Sequence, residues 1–374
     1  VLLATAATAT TGGGEKHVAD LLRLLTARGL EVGLVSPPGG DLAELTRELR
    51  VRQFEAEIES GFSPAAITAT RRAIASFDPD VVHAHGSRAA AFVRLADPRA
   101  RDRVVYTLHG IHIDKAGSKA RQVAFRSLER FLKPRTARFI TVAKSDTAKG
   151  ALLGILDEAR TQTVYNGIEL PGSVPPRGAF RAELGIAEKT PLAVCIGRFH
   201  EQKDHATLLT AFSVLRAQTV EPELVLLGGG PLEQAVRDRV DELGLSAAVH
   251  FAPPRHGIAQ VYADADVLVL SSLWEGLPYV VIEAMSYGLP VVSTDVDGIP
   301  EAVEDEVTGL LVKPRDVHAL AAALVRLLRD PELGRRMGEA GRALVAEKFG
   351  LDRMADELVA VYEDVARDRV AGIR

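Results

Sequence analysis

Short β-branched and leucine-rich runs alternate along the chain with longer stretches whose apolar positions recur every three to four residues. Residues 1–6 are followed by the helical pattern 17–28, a stop at Gly29 and a second apolar run at 31–36, which together predict a β-α-β unit. The rhythm continues through 80–85, 104–109, a long helix at 119–131, then 138–142 and 163–165 ahead of the turn signal Asn166-Gly167. Strands separated by helices in this way predict a doubly wound parallel sheet. Pro171, Gly172, Pro175, Pro176 and Gly178 crowd together next, and this breaker cluster is the expected interdomain linker.

The same rhythm restarts at 191–196 and runs through a helix at 206–217, then 224–227, a helix at 232–243, 249–251, 267–271, 279–287, 291–294 and 309–312. From Asp316 onward only helical periodicity remains, and a last helix, 351–367, has no new strand to serve. It is expected to cross back over the first domain. The predicted organisation is therefore residues 1–172, residues 173–350 of similar design, and the terminal helix within 351–374.

A length of 374 residues accommodates two cores. With 47% hydrophobic and 25% charged residues, disorder is excluded. No apolar run approaches the roughly 18 residues of a membrane-spanning helix. One cysteine, Cys195, excludes a disulfide framework or thiolate metal cluster and fits a reducing cytoplasm. The chain starts without a basic segment of the secretory kind, which also predicts a cytoplasmic protein. The net charge of −5 is uneven: residues 1–172 carry 24 Lys and Arg against 19 Asp and Glu, and residues 173–374 carry 21 against 31.

In open parallel sheets, ligands bind beyond the carboxyl ends of the strands, so two such domains are expected to face a cleft lined by βα loops. The first loop, Thr10-Thr11-Gly12-Gly13-Gly14, suits an anion or sugar hydroxyl at a helix N-terminus, or simply a tight turn. Gly228-Gly229-Gly230-Pro231 invites a dinucleotide, but Glu233 stands where a third glycine belongs, which argues against a nicotinamide cofactor. Arg198 and Lys203 offer a planar fork and an ammonium for a diphosphate; the alternative is a solvated loop paired with Asp204 and Glu201. In the segment 272–285, Pro278 fits a first helical turn, so Gly276, Leu277 and Tyr279 would present N–H groups. Glu275 in that loop and Glu283 on the helix suit vicinal sugar hydroxyls better than phosphate. The arrangement asks for a nucleotide sugar.

The run E-G-x-P-x-x-x-x-E at 275–283, with G-x-P-V-V at 288–292 and Gly298 to Glu301 downstream, resembles the E-x7-E signature of retaining glycosyltransferases of family GT4. V-V-H-A-H-G (81–86), T-L-H-G (107–110), Y-N-G-I (165–168), G-R-x-x-x-Q-K (197–203) and G-G-G-P (228–231) look like that family in its order. The resemblance implies an α/β GT-B architecture, two Rossmann-like domains facing a cleft with the C-terminal helix crossing back to the first. It implies that Glu283 holds the ribose and Glu275 the transferred hexose. Arg198 and Lys203 would clamp the diphosphate beside the N–H groups of Gly276 and Leu277, and Gly230 would join the donor-binding set. His109 would lie near the reacting carbon, with Gly13 and Gly14 approaching from the first domain. Such enzymes have no fixed general base, because the leaving phosphate takes the acceptor proton on the same face of the sugar. No cofactor or metal is expected. A UDP-sugar is favoured as donor and GDP-mannose comes second; the acceptor would be a saccharide, lipid-linked or small molecule, as in cell-envelope or exopolysaccharide synthesis. Asp297-Gly298 departs from the family's frequent glycine pair.

His83 and His85 face one side of a strand and, with His109 and His112, raise the question of a metal; without carboxylates at ligand spacing, sugar or acceptor binding by His85 and His112 is the better reading. Residues 119–149 hold nine Lys and Arg against Glu129 and Asp146, a solvated face or a contact with anionic lipid at the inner face of the plasma membrane. Phe125, Leu128, Phe131 and Leu132, interleaved there, suit core or membrane. No nucleic-acid partner is expected. Two other classes stay open: an epimerase that hydrolyses the nucleotide sugar, and a nonenzymatic sugar-binding protein.

Overall fold

A computed structural model describes the chain apart from residues 11, 59, 60, 62, 113–117, 219, 220, 256, 373 and 374. The chain divides into two compact units, Val1–Gly167 with Leu351–Arg374, and Ile168–Gly350.

The first unit is built on a seven-stranded parallel sheet, with strands β1 (Leu2–Thr5), β2 (Gly33–Ser36), β3 (Arg52–Glu55), β4 (Val82–His85), β5 (Val104–Leu108), β6 (Arg138–Thr141) and β7 (Thr161–Thr163) in the order β3-β2-β1-β4-β5-β6-β7. Alternate residues of each strand feed opposite faces. Leu2, Ala4, Val82, Ala84, Tyr106 and Phe139 pack into one core. Leu3, Val105 and Ile140 enter the other, where Val18, Leu21 and Leu22 of the helix Gly13–Ala27 meet Met354, Leu358, Tyr362 and Val365 of the C-terminal helix Leu351–Ala371. That last helix is thus an integral layer of the first unit. The strand order reverses between β1 and β4, where Thr5 pairs with His85, so the ligand-binding crevice expected of such sheets opens beside His85.

The second unit carries six parallel strands, β8 (Leu192–Ile196), β9 (Glu223–Leu227), β10 (Val249–Ala252), β11 (Val267–Leu270), β12 (Val291–Thr294) and β13 (Gly309–Val312), ordered β10-β9-β8-β11-β12-β13. Its reversal lies between β8 and β11.

Several expectations change. The edge strand β3 and the helices Gly40–Glu48 and Pro64–Phe77 were not anticipated. The sequence RQFE of β3 is partly exposed throughout and lacks the apolar run that marks a buried strand. β7 ends at Thr163, and Asn166-Gly167 does not form the turn its signal predicts: Asn166 is buried, with its Oδ1 3.3 Å from His17 Nδ1, and the Gly167 N–H donates to the Met354 sulfur at 3.2 Å. The unit boundary falls after Gly167, ahead of the proline-rich cluster. Ile168 bridges to Gly350 and donates to the Phe349 carbonyl, while the Arg177 guanidinium and Gly178 N–H are held by Asp266 and Asp264. The breaker cluster is therefore bound to the second unit instead of spanning between domains.

Candidate active site

The loops after β8 and β11 flank the switch point of the second sheet. The first is zipped to the triple-glycine loop: the Phe199 N–H donates to the Gly229 carbonyl, and the Leu232 N–H donates to the Phe199 carbonyl, both at 3.0 Å. A Cβ on Gly228 would lie 2.0 Å from the Gly197 carbonyl oxygen, and one on Gly230 would lie 2.6 Å from that of Phe199. These glycines are required by backbone contact, so Gly230 has a packing role whatever it binds. Phe199 is buried, and Arg198 beside it is exposed. The Arg198 guanidinium has no hydrogen-bond or ion-pair partner among the described residues.

Lys203 closes a short 3-10 turn, Glu201–Lys203, that His200 caps through its Nδ1. Its Nζ lies 2.5 Å from Glu275 Oε1, a partner that the alternative of a solvated loop paired with Asp204 and Glu201 did not include. Asp204 instead caps the helix His205–Arg216 by accepting from the Thr207 N–H and hydroxyl. The same Glu275 oxygen accepts from the Ser272 hydroxyl at 2.6 Å, and Oε2 accepts from Gln202 Nε2 at 3.2 Å. The Glu275 N–H donates to Asp297 Oδ2 at 2.9 Å. Asp297 holds a left-handed φ of 45°, an unfavourable backbone state for a side-chain-bearing residue that its hydrogen bond helps to offset. A glycine there would adopt the conformation freely but leave that N–H without this acceptor.

Pro278 caps the helix Tyr279–Ser286, just outside its first turn, with Gly276 and Leu277 leading in. Glu283 lies one turn into the helix, half-buried, and its Oε2 accepts from the Tyr262 hydroxyl at 3.1 Å. Burial, reinforced by the Glu283 carboxylate, pushes the Tyr262 phenol well up, so it acts as a hydrogen-bond donor.

In the first unit, Gly13 opens its helix, and a Cβ on Gly14 would sit 3.5 Å from the His109 ring; Thr11 lies outside the described residues. His109 Nε2 is 3.3 Å from His85 Nδ1. His83 lies behind, with its ring 4.1 Å from that of His85, its Nδ1 2.6 Å from the Tyr362 hydroxyl and its Nε2 2.7 Å from Thr107 Oγ1. His17 completes the cluster edge-on to His109 at 4.8 Å. Burial lowers all four, His17 to about 4 and the others well below their usual value, so they are neutral hydrogen-bonding groups at pH 7. Among the described residues no three His, Cys, Asp or Glu side chains gather as metal ligands would.

His112 follows in the loop after β5. It lines a cavity of about 410 Å³ together with His109, Gly110, Ser87, Leu108 and, from the helix Lys119–Leu132, Phe125. That helix is anchored by Glu129, which accepts from Arg94 Nη2 at 2.8 and 3.0 Å with both side chains almost fully buried. The four interleaved apolar residues separate accordingly: Leu132 is core, Phe125 faces the cavity, and Leu128 and Phe131 are exposed. Nor is the basic run a uniform solvated face. Arg130 donates to the Leu153 carbonyl, Arg135 to the carbonyls of Arg94 and Asp97, and Arg138 pairs with Asp368.

The structure thus groups Lys203 with Glu275, and His109 with His85 and Gly14. Ser272, Gln202, Asp297, Tyr262 and His17 join them as residues to which the sequence pattern assigns no role; of these only Gln202 is a fixed position of a motif, G-R-x-x-x-Q-K. Two family models match the chain, "Glycosyltransferase Family 4" over residues 11–170 and "Glycosyl transferases group 1" over residues 176–344. A D-inositol 3-phosphate glycosyltransferase of Actinosynnema mirum is 32% identical over 97% of this chain and 95% of its own. The chain belongs to the group 1, family 4 glycosyltransferases. This glycosyltransferase is also 26% identical, over 76% of each chain, to an Escherichia coli UDP-Gal:alpha-D-GlcNAc-diphosphoundecaprenol alpha-1,3-galactosyltransferase. In fold it matches Anabaena HepE, solved in complex with UDP-glucose, with a TM-score of 0.84 over 97% of this chain and 99% of that one at 19% identity. Two Rossmann-like units of GT-B type are therefore its architecture. No helix among the described residues is long and apolar enough to cross a membrane.

Proposed function

We propose that this glycosyltransferase moves a hexose from a nucleoside-diphosphate sugar, a UDP-sugar first and GDP-mannose second, to a saccharide, lipid-linked or small-molecule acceptor, retaining the anomeric configuration without a metal ion. The observation that carries this reading is the Lys203–Glu275 pair, held by Ser272 and Gln202 at the switch point and followed at once by the helix N-terminus at Gly276 and Leu277. Lys203 and the unpartnered Arg198 supply positive charge for the diphosphate, and Glu275 offers Oε2 to a sugar hydroxyl. Glu283, oriented by Tyr262, accepts from the ribose hydroxyls. In the first unit, His109 is neutral and can hydrogen-bond the hexose but is a weak base, so the leaving phosphate oxygen takes the acceptor proton. The nucleotide-sugar and lipid-linked substrates named for the galactosyltransferase relative, and the UDP-glucose in HepE, support the donor class and the breadth of acceptor.

Thermal shift with UDP-glucose, UDP-galactose, UDP-N-acetylglucosamine and GDP-mannose tests it. One donor should raise the melting temperature by several degrees, since a ligand at 100 times its Kd adds about 2.7 kcal/mol. Silence with every nucleotide would sink the reading, and free hexose released without an acceptor would favour the hydrolysing epimerase.

A peripheral contact with anionic membrane at the inner face of the plasma membrane is a second reading. It is favoured by the outer face of the helix Lys119–Leu132, where Val123, Leu128 and Phe131 are exposed beside Lys119 and Arg126.

A further inference from the structure

The loop that carries Glu275 is tied at four consecutive residues. The Thr294 hydroxyl donates to the Ser272 carbonyl at 2.6 Å, and the Leu273 N–H donates to the Gln202 carbonyl at 2.8 Å. Gln202 Nε2 donates to the Trp274 carbonyl at 2.9 Å, and the Glu275 N–H donates to Asp297 Oδ2 at 2.9 Å. Both neighbours of β11 in the sheet supply these ties, Gln202 from the loop after β8, Thr294 from the end of β12 and Asp297 from the loop that follows it. All of them lie within the second unit. The tie from Asp297 differs in kind from the rest. Its acceptor is a carboxylate, which holds an N–H more strongly than a neutral oxygen does. It also requires the left-handed φ of 45°, an unfavourable state for a residue with a side chain. Asp204 shares that φ, but its carboxylate caps the helix it precedes, whereas Asp297 reaches across 22 residues to Glu275. A second carboxylate next to Glu275 works against an anion at the helix N-terminus that follows, so charge gives no reason for an acid at this position. The hold on the Glu275 N–H does.

We infer that Asp297 is a positioning residue of the donor site, acting through Glu275 so that the enzyme distinguishes a nucleotide sugar from the bare nucleoside diphosphate. The inference rests on the assignment of Glu275 to the transferred hexose and deepens it by naming the residue that holds Glu275 ready. The side chain of Glu275 is tied at one end, with Oε1 on Lys203 and Ser272. Asp297 ties the other end at the main chain, so the carboxylate keeps one place before any sugar arrives. Without that tie, Glu275 has to be ordered as the hexose binds, and the loss of freedom weighs on the sugar alone. The diphosphate, assigned to Arg198, Lys203 and the N–H groups of Gly276 and Leu277, keeps its contacts.

Calorimetry with UDP-glucose, UDP-galactose, UDP-N-acetylglucosamine and GDP-mannose, and with UDP and GDP, gives the ratio of nucleotide-sugar to diphosphate affinity. D297G accepts the left-handed backbone but offers no acceptor; it should lower affinity for the nucleotide sugar about fivefold or more and leave that for its diphosphate within about twofold. D297N tolerates the same φ and keeps a neutral acceptor, so its loss should be smaller, about threefold, and it carries the test should D297G fail to fold. On the background of E275A, D297G should add no further loss, because it acts through that residue. A merely structural role for Asp297 would lower both affinities together. Unchanged nucleotide-sugar affinity in D297G, or in D297N where that variant stands alone, overturns the inference. So does an equal loss for sugar and diphosphate, or a further loss on top of E275A. If E275A itself leaves the ratio unchanged, the assignment of Glu275 to the hexose fails first and takes this inference with it, and if no nucleotide binds the parent, the donor reading fails.

Discussion

Lys203 and Glu275 lie 72 residues apart in the chain and 2.5 Å apart in the fold, with 12% and 6% of their side chains exposed. Arg198, from the same loop as Lys203, is exposed and unpartnered among the described residues. The two cations should respond differently to removal. Lys203→Ala strands a buried carboxylate and is expected to cost about 3 kcal/mol or more of stability, whereas Arg198→Ala should change it by about 0.5 kcal/mol or less. Both should slow transfer by orders of magnitude. Urea unfolding beside a transfer assay reads both quantities, and the double variant Lys203→Ala, Glu275→Ala should recover part of the lost stability. If Lys203→Ala were as stable as the parent, the pair would not be holding the loop.

Under the proposed function the two glutamates divide donor binding. Glu283→Ala is expected to abolish most nucleotide affinity, and Glu275→Ala to lower turnover more than affinity, because one is assigned to the ribose and the other to the transferred hexose. Tyr262→Phe, which deletes the hydroxyl donating to Glu283, should weaken UDP binding by a smaller factor. Calorimetry with UDP separates the cases. Undiminished affinity in Glu283→Ala would remove its assignment.

The strands that hold the sites were legible because they are fully buried parallel strands and read as continuous apolar runs: β8 and β11 fall within a residue of where the pattern places them. Glu275, Glu283, Arg198 and Lys203 stand out as candidates in the sequence because of their types and spacing, and the structure adds the pairing of Lys203 with Glu275. What escaped was tertiary. No local signal shows that Asn166 reaches His17 across 149 residues, or that Tyr362 on the last helix meets His83. Asp297 was visible only as a departure from paired glycines, and its bond to the Glu275 N–H is a property of the folded loop. The linker was misplaced because proline and glycine mark irregular backbone, which here packs on a unit instead of joining two.

The histidine cluster predicts an acid-sensitive first unit. His17, lowered to about 4, and His83, His85 and His109, lowered well below 6.5, stay neutral in the fold while the unfolded chain takes up protons near 6.5. Their contribution is fully present above pH 6.5 and is lost as pH falls toward the folded values, at about 1.4 kcal/mol per pH unit for each histidine. His205 in the second unit, lowered to about 4, acts in the same sense. Urea midpoints between pH 7 and 5, above the range where most carboxylates titrate, should fall steeply, and His17→Asn should flatten the slope. A midpoint constant across that range would contradict the neutral cluster.

Membrane contact predicts salt-sensitive sedimentation with anionic vesicles and none with neutral ones. The informative substitutions are Lys119, Arg126 and Lys133 to Gln, together with Phe131→Ser. Arg130 and Arg135 are unsuitable because they donate to backbone carbonyls of the first unit, and their loss would confound binding with unfolding. Phe131, 72% exposed, should contribute binding that persists at higher salt than the charges do. Equal sedimentation of the combined variant would dismiss the contact.

Stereochemistry and metal dependence form one further prediction. An inverting displacement needs a base on the face opposite the leaving group, and the histidines near Gly14 are held neutral with depressed basicity, while Glu275 is committed to Lys203, Ser272 and Gln202. A leaving phosphate that takes the acceptor proton on its own face needs no such base. Arg198, Lys203 and the helix N-terminus beyond Gly276 can carry the charge that develops on that phosphate, the task a divalent ion performs elsewhere. An α-linked donor should therefore yield an α-linked product, at a rate unchanged by EDTA. The anomeric proton coupling of the product and the rate after chelation are the measurements. A β-linked product, or activity lost in EDTA and restored by Mg²⁺ or Mn²⁺, would overturn this mechanism while leaving the family assignment intact.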